Sequence, residues 1–269
     1  MLLTIDIGNT HIVLGVMQGL EVISSFRMTT QVSRTSDEYG IMIIQMISSK
    51  GIAVDDIEDV IVCSVVPNVM FSLKNSIIRY LNKKPYIVGE GLKVGIAIRT
   101  DSPKSVGADR IVNSVAAYNI YGGPCMAIDF GTSTTYDITN ANGEFIGGLI
   151  TAGISISADV IGKRAAQLPY IEIKKPRSIL DCKNTVSSMQ AGLVYGYIGQ
   201  VEYIIKQVKQ ELAVDEFMVV STGGLGRIIT DETDLIDVHD KYLTQKGLKL
   251  IYDRSKKGDK HERIGRDYI

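Results

Sequence analysis

Thr4-Ile5-Asp6-Ile7-Gly8-Asn9-Thr10 is answered, about half the chain later, by Ala127-Ile128-Asp129-Phe130-Gly131-Thr132-Ser133. Each stretch is an apolar run that meets an Asp, one further apolar residue, a Gly, and then small hydroxyl or amide residues. A second apolar run follows each. Self-similarity on this scale marks a duplicated unit. The repeat predicts an α/β protein of two similar β-β-β-α halves. The boundary falls near Tyr118–Gly123, where Tyr121-Gly122-Gly123-Pro124 breaks the pattern.

Working outward, residues 2–7, 12–17 and 21–27 read as strands, with a tight turn at Gly8-Asn9-Thr10-His11. A helix is expected over 35–49, with Thr35 as N-cap, Asp37 and Glu38 in its first turn, and Ile41, Ile44 and Ile47 recurring along it. A strand at 59–65, a helix from Pro67, short apolar pieces at 85–88 and 94–98, and a helix over 105–119 complete the first half. The second half reads as strands at 126–130, 134–138 and 144–150, helices at 154–168 and 186–212, a strand at 217–221 and a last helix at 242–252. The domains are expected at 1–118 and 119–255, with 256–269 a charged, disordered tail.

The composition sets the class. The 269 residues carry 29 Lys plus Arg against 30 Asp plus Glu, a net charge of −1. That balance argues against a dedicated nucleic-acid binder, which carries a basic excess. Hydrophobic residues at 45% and charged residues at 22% describe a globular chain rather than a disordered one. Cys63, Cys125 and Cys182 form no CxxC and are odd in number, so neither a disulfide framework nor a zinc site is expected. The start has no basic n-region, and no apolar stretch reaches the ~18 residues of a membrane helix. The expectation is a soluble cytoplasmic protein with no membrane partner.

An Asp at the end of a buried strand, followed by a Gly turn, suits phosphate and metal. The carboxylate can hold Mg²⁺ directly or through water. The Gly lets backbone N–H groups approach anionic oxygens. A Gly-Asn beside an Asp also serves as a plain hairpin; two such loops in matching halves favour the functional reading. Gly107-Ala108-Asp109-Arg110 sits at an expected helix start, where N–H groups and the helix dipole favour an anion. Arg110 can clamp a carboxylate, and Asp109 can take a proton from a hydroxyl. The same spacing also fits a surface Asp-Arg pair. Thr222-Gly223-Gly224 can pass beneath an adenine or ribose, or turn the chain into a helix. His11 and His239 have no partners at metal-ligand spacing and are read as structural.

Taken together, these motifs resemble type III pantothenate kinases. The resemblance rests on Asp6-Ile7-Gly8-Asn9-Thr10, Gly107-Ala108-Asp109-Arg110, Asp129-Phe130-Gly131-Thr132 with Thr134-Thr135, and Thr222-Gly223-Gly224. Supporting pieces are Thr35-Ser36-Asp37-Glu38-Tyr39, Asn184-Thr185 before Gln190-Ala191-Gly192, and Leu243-Thr244 before Gly247-Leu248. The duplicated Asp-Gly loops are shared more widely, with acetate and sugar kinases, Hsc70 and actin.

The resemblance implies two ribonuclease H-like domains with the active site in a cleft between them, in a homodimer. It implies ATP-dependent phosphorylation of pantothenate, the first step of coenzyme A synthesis, with Mg²⁺ and a monovalent cation, K⁺ or NH₄⁺. Carried onto this chain, Asp109 is the general base, and Gly107, Ala108 and Arg110 hold pantothenate. ATP is held by Asp6, Ile7, Gly8, Asn9, Thr10, His11, Ile12 and Val13, with Gly131, Thr132, Gly223 and Gly224. Asp129 takes the monovalent cation and Asp6 the magnesium. Thr185 lies against pantothenate from the dimer partner.

Three residues depart from the family pattern. Thr100 stands for a Tyr that would contact pantothenate, Ala152 for a Pro, and Cys182 for a Gly before Lys183-Asn184-Thr185. Two alternatives follow: a related kinase with another hydroxyl acceptor, and a non-catalytic regulatory protein retaining the fold.

Overall fold

The computed structural model describes residues 1–89 and 91–266, with side chains to residue 256. The chain forms two compact units. The first comprises residues 1–97, 101–116 and 242 onward; the second comprises 98–100 and 117–241.

In the first unit, β1 (Leu2–Ile7), β2 (His11–Gln18) and β3 (Glu21–Thr29) form an antiparallel meander. Next, α1 (Ser36–Ser48), β4 (Asp59–Ser64), α2 (Pro67–Leu81) and β5 (Tyr86–Ile87) extend the sheet in parallel beyond β1. The strand order is β3-β2-β1-β4-β5. β1 and β4 are almost wholly buried, as a sheet covered on both faces requires.

One face of this sheet is covered by α1 and α2. Thr35 caps α1 through a complete capping box with Glu38. The buried face of α1 is Tyr39, Gly40, Ile43 and Ile47, whereas Ile41 is 48% exposed. The apolar recurrence read through Ile41 and Ile44 is therefore displaced onto Tyr39 and Ile43, because the aromatic ring rather than Ile41 fills the core. From α2, Val69, Leu73, Ile77 and Leu81 recur every four residues against them. Each fully buried aliphatic contributes roughly 1.5–3 kcal/mol.

The last helix, α7 (Leu243–Arg266), packs on β1, β2 and β4. Leu243, Leu248 and Ile251 are fully buried. The sequence reading assigned 242–255 to the second domain and ended the ordered chain there. Instead the helix belongs to the first unit and continues to Arg266. Lys256 donates to Asp59 at 2.7 Å, and Tyr252 bonds the same carboxylate, so the helix is fastened to β4 as far as Lys256. The rest of the expected tail, residues 267–269, lies outside the described residues.

The second unit repeats the plan. β7 (Cys125–Phe130), β8 (Ser133–Thr139) and β9 (Glu144–Ala152) form a meander; β10 (Met218–Thr222) and β11 (Val238–His239) add in parallel. The order β11-β10-β7-β8-β9 mirrors the first sheet, with β6 (Ala97–Ile98) added at the β9 edge. The helix α3 (Ala108–Tyr121), which belongs to the first unit as far as Ala116, starts after a 3-10 turn at Pro103–Ser105, three residues later than read, and α4 (Ile154–Arg164) ends earlier. α5 (Thr185–Leu212) covers this sheet through Val194, Tyr197, Val201, Ile205 and Val208. α6 (Gly226–Thr230) and β11 were not anticipated. No described helix is long and apolar enough to cross a membrane.

Candidate functional site

The duplication is exact in burial at the two strand-end carboxylates. β1 and β7 share one burial pattern, in which only the fifth residue, Asp6 or Asp129, is partly open. Each Asp has an antiparallel neighbour in register, Val13 or Thr135, and a parallel one, Cys63 or Thr222.

In the first unit, Ile7 pairs with Ile12, and Gly8-Asn9-Thr10-His11 turns between them. The Gly8 amide donates to the His11 carbonyl at 3.0 Å, so it is consumed within the hairpin. Thr30 fastens the turn: its hydroxyl donates to Gly8 O at 2.7 Å and its amide to Thr10 O at 3.0 Å. Ile12 is fully buried; Asn9, Thr10 and His11 are exposed. The sequence carried no signal for Thr30, which is brought to the turn by β3.

Gly107 precedes α3, with Ala108 its first residue. The Asp109 Oδ1 accepts from the Arg110 amide at 2.8 Å. A side chain at 107 would strike that carboxylate oxygen, so Gly107 gives Asp109 its room. Burial pushes the Asp109 carboxyl above its ordinary value; the Arg110 amide and charge pull the other way. Cys63, read only as core, joins this group. Its thiol is wholly buried, donates to Asp6, and is held well above the ordinary range by burial and by the charges of Asp6 and Asp109. Asp6, Cys63 and Asp109 thus form one cluster in the first unit. Burial keeps the Cys63 thiol neutral, as an S–H bonded to Asp6 within electrostatic reach of Asp109.

In the second unit the turn is one residue shorter. Phe130 pairs with Thr134, and the Gly131 amide donates to the Ser133 carbonyl at 3.1 Å. The end of β9 braces this turn: the Gly153 amide donates to Thr132 O at 3.1 Å. Thr222 ends β10 in register with Asp129. Gly223 follows with φ +100°, and a Cβ there would lie 2.5 Å from the Phe130 carbonyl oxygen. Only glycine fits both demands. Gly224 then leads into α6. Ser221 Oγ bonds His239 Nδ1 at 2.9 Å, so His239 supports the strand that carries these glycines. Asp129, Gly131, Thr132, Gly223 and Gly224 are brought together at one sheet end.

Thr185 is the first residue of α5, behind the N-cap Asn184, in a shallow groove with Cys182, Ser188 and Met189. It lies about 18 Å along the helix from Tyr197, at 1.5 Å per residue. Cys182 has φ −79°, so no left-handed backbone is needed where the family has Gly. Thr100 Oγ1 is buried without a hydrogen-bond partner beside the Arg99–Glu144 ion pair of 2.9 Å.

Among the described residues no group of three or more His, Cys, Asp or Glu is placed to hold a metal. That fits magnesium, which keeps its waters and uses one or two carboxylates together with substrate phosphates. Asp6 supplies such a carboxylate. Asp129 has Thr135 and Thr222, both hydroxyl residues, as its register neighbours.

Residues 2–207 match the family model of type III pantothenate kinase. A type III pantothenate kinase of Agathobacter rectalis is 54% identical over 252 residues, 94% of this chain and 96% of that protein. Two solved structures share the fold. One is a Campylobacter jejuni protein assigned to the Baf family of transcriptional activators, at TM-score 0.58 and 18% identity, covering 93% of this chain and 97% of that one. The other is the activator of 2-hydroxyisocaproyl-CoA dehydratase from Clostridium difficile with bound ADPNP, at TM-score 0.57 and 14% identity, covering 96% and 97%. By its family model and by this relative, the chain belongs to the type III pantothenate kinases.

Proposed function

We propose that this chain transfers the γ-phosphoryl group of ATP to the hydroxyl of pantothenate, opening coenzyme A synthesis, with Asp109 as the proton acceptor. The observation that carries the role of Asp109 is its membership of the Asp6–Cys63–Asp109 cluster. A carboxylate raised by burial is a better base near neutral pH than an ordinary Asp. In a loose phosphoryl-transfer transition state it orients the hydroxyl and takes its proton late. Gly107 leaves room for Asp109, and Arg110 with the start of α3 favours the pantothenate carboxylate.

The turn at residues 8–11 and the turn at 131–133 hold phosphates, and Gly223-Gly224 let the nucleotide approach the backbone. Magnesium with ATP would be held at Asp6, where it supplies charge neutralisation of the phosphates. A monovalent cation, K⁺ or NH₄⁺, is assigned to Asp129. Thr185 is assigned to pantothenate across a homodimer, and the compartment is the cytoplasm; family membership supports both.

The test is ADP release with Mg²⁺-ATP and pantothenate, in K⁺ and in Na⁺, on the native protein and Asp109→Asn. Turnover that needs pantothenate and K⁺ and collapses in the variant is the expected result. No pantothenate-dependent turnover in any cation overturns the assignment and points to another acceptor.

A further inference from the structure

The hydroxyl of Tyr197 reaches from α5 into the second sheet at a telling place. It bonds the Thr134 hydroxyl, and it donates to the Ala152 carbonyl at 3.2 Å. Thr134 is the residue immediately after the turn at 131–133. Ala152 is the residue immediately before Gly153, whose amide holds the Thr132 carbonyl. One phenol therefore ties together the two strand ends that frame the turn. Its ring packs on Phe130, the residue before the turn, at 6.4 Å between centroids.

The surroundings make this bond consequential. Thr134 is 1% exposed and Tyr197 6%. The buried Tyr136 hydroxyl and Thr151 Oγ1 adjoin Tyr197. Thr151 is in register with Thr134, and Tyr136 lies two residues on, on the same face. Loss of the Tyr197 hydroxyl would leave the buried Thr134 hydroxyl short of a partner. Such groups are costly to leave unsatisfied, and the turn is the part that can move to relieve them.

We infer that Tyr197 is a positioning residue for the nucleotide-phosphate turn at 131–133, acting through Thr134 and the Ala152 carbonyl. The inference rests on the proposed role of that turn in holding ATP.

The test is Tyr197→Phe, which keeps the ring and removes the hydroxyl. Tyr195→Phe is the control: it sits on the same helix and gives up one hydroxyl bond, to Pro176 O at 3.2 Å, away from the turn. Tyr197→Phe should raise KM for ATP about fivefold, the effect of one net hydrogen bond. KM for pantothenate should stay within about twofold, and Tyr195→Phe should match the native protein. Thr134→Val cuts the same tie from the other side and should give the same split; it replaces Tyr197→Phe should that variant fold poorly. The double variant should lose no more ATP affinity than either single one.

An unchanged KM for ATP, a parallel rise in both KM values, or an equal effect in Tyr195→Phe overturns the inference. Calorimetric binding of a non-hydrolysable ATP analogue reads the same split without turnover. Absent pantothenate-dependent turnover with intact, Tyr197-dependent nucleotide binding would refute the acceptor assignment and leave the role of Tyr197 standing.

Discussion

Cys63 stands beside Asp6 across the parallel β1–β4 pair, and its buried thiol donates to that carboxylate. The thiolate is the reactive form of cysteine, and this site suppresses it. Cys125, also fully buried, has its thiol pushed up to about 12 by burial. Cys182 is only partly buried. Iodoacetamide followed by peptide mass spectrometry should therefore label Cys182 in the native protein and spare Cys63 and Cys125. All three should label in urea. Rapid native labelling of Cys63 would contradict the cluster.

Asp109→Asn should lower kcat by about 10²–10⁴-fold, the range for loss of a positioned proton acceptor. Since burial raises the Asp109 carboxyl, the acid limb of kcat/KM should lie above the ordinary Asp range of about 3.8. Activity should fall as pH drops through that limb. A variant profile with the same limb and full rate would remove Asp109 from the reaction.

Gly223→Ala meets two obstacles, the φ of +100° and the Phe130 carbonyl oxygen at 2.5 Å. Backbone strain of this kind costs about 1–3 kcal/mol. Urea unfolding should show at least that loss, and KM for ATP should rise with it. Gly19→Ala has φ +59° but open space around it, and should show the strain without the effect on ATP.

Burial, then Arg227, lowers the pKa of His239 below its ordinary 6.5; Asp240 and Asp231 oppose this. The folded state thus binds this proton less readily than the unfolded chain. The resulting stability is fully present above pH 6.5 and is lost as pH falls through the lowered value. Urea midpoints of the native protein and His239→Asn should converge on acidification from pH 7.5. Parallel curves would sink this assignment.

Thr35→Ala removes the side-chain half of the α1 capping box, leaves the residue-35 amide bonded to Glu38, and should cost about 1 kcal/mol. Calorimetric melting in the absence of ligands reads this directly, and turnover per folded molecule should be unchanged.

The duplicated strand ends were legible because the chemistry is written locally: an apolar run, an Asp, a Gly. The α1 cap was legible for the same reason. By contrast, β11 has two residues and α6 five, too few to display a period. The continuation of α7 past Tyr252 was missed because its apolar spacing ends there, while Tyr252 and Lys256 find their partner in Asp59, almost two hundred residues away in the chain. The candidate site divides in the same way. Asp6, Asp109 and Asp129 announce themselves by residue type and context. Cys63 and Thr30 do not, for they gain meaning only from strand register. Tyr197 looked like any aromatic on a buried helix face, because its hydroxyl partners come from β8 and β9.

The packing of α7 on β1, β2 and β4 also bears on how the molecule is made. β1 leaves the ribosome long before this helix. The nascent first sheet must therefore wait with an oily face open while the whole second unit emerges and folds. Chaperone occupancy should peak in that interval, and a stop codon before residue 243 should yield a protease-sensitive product whose second unit alone survives.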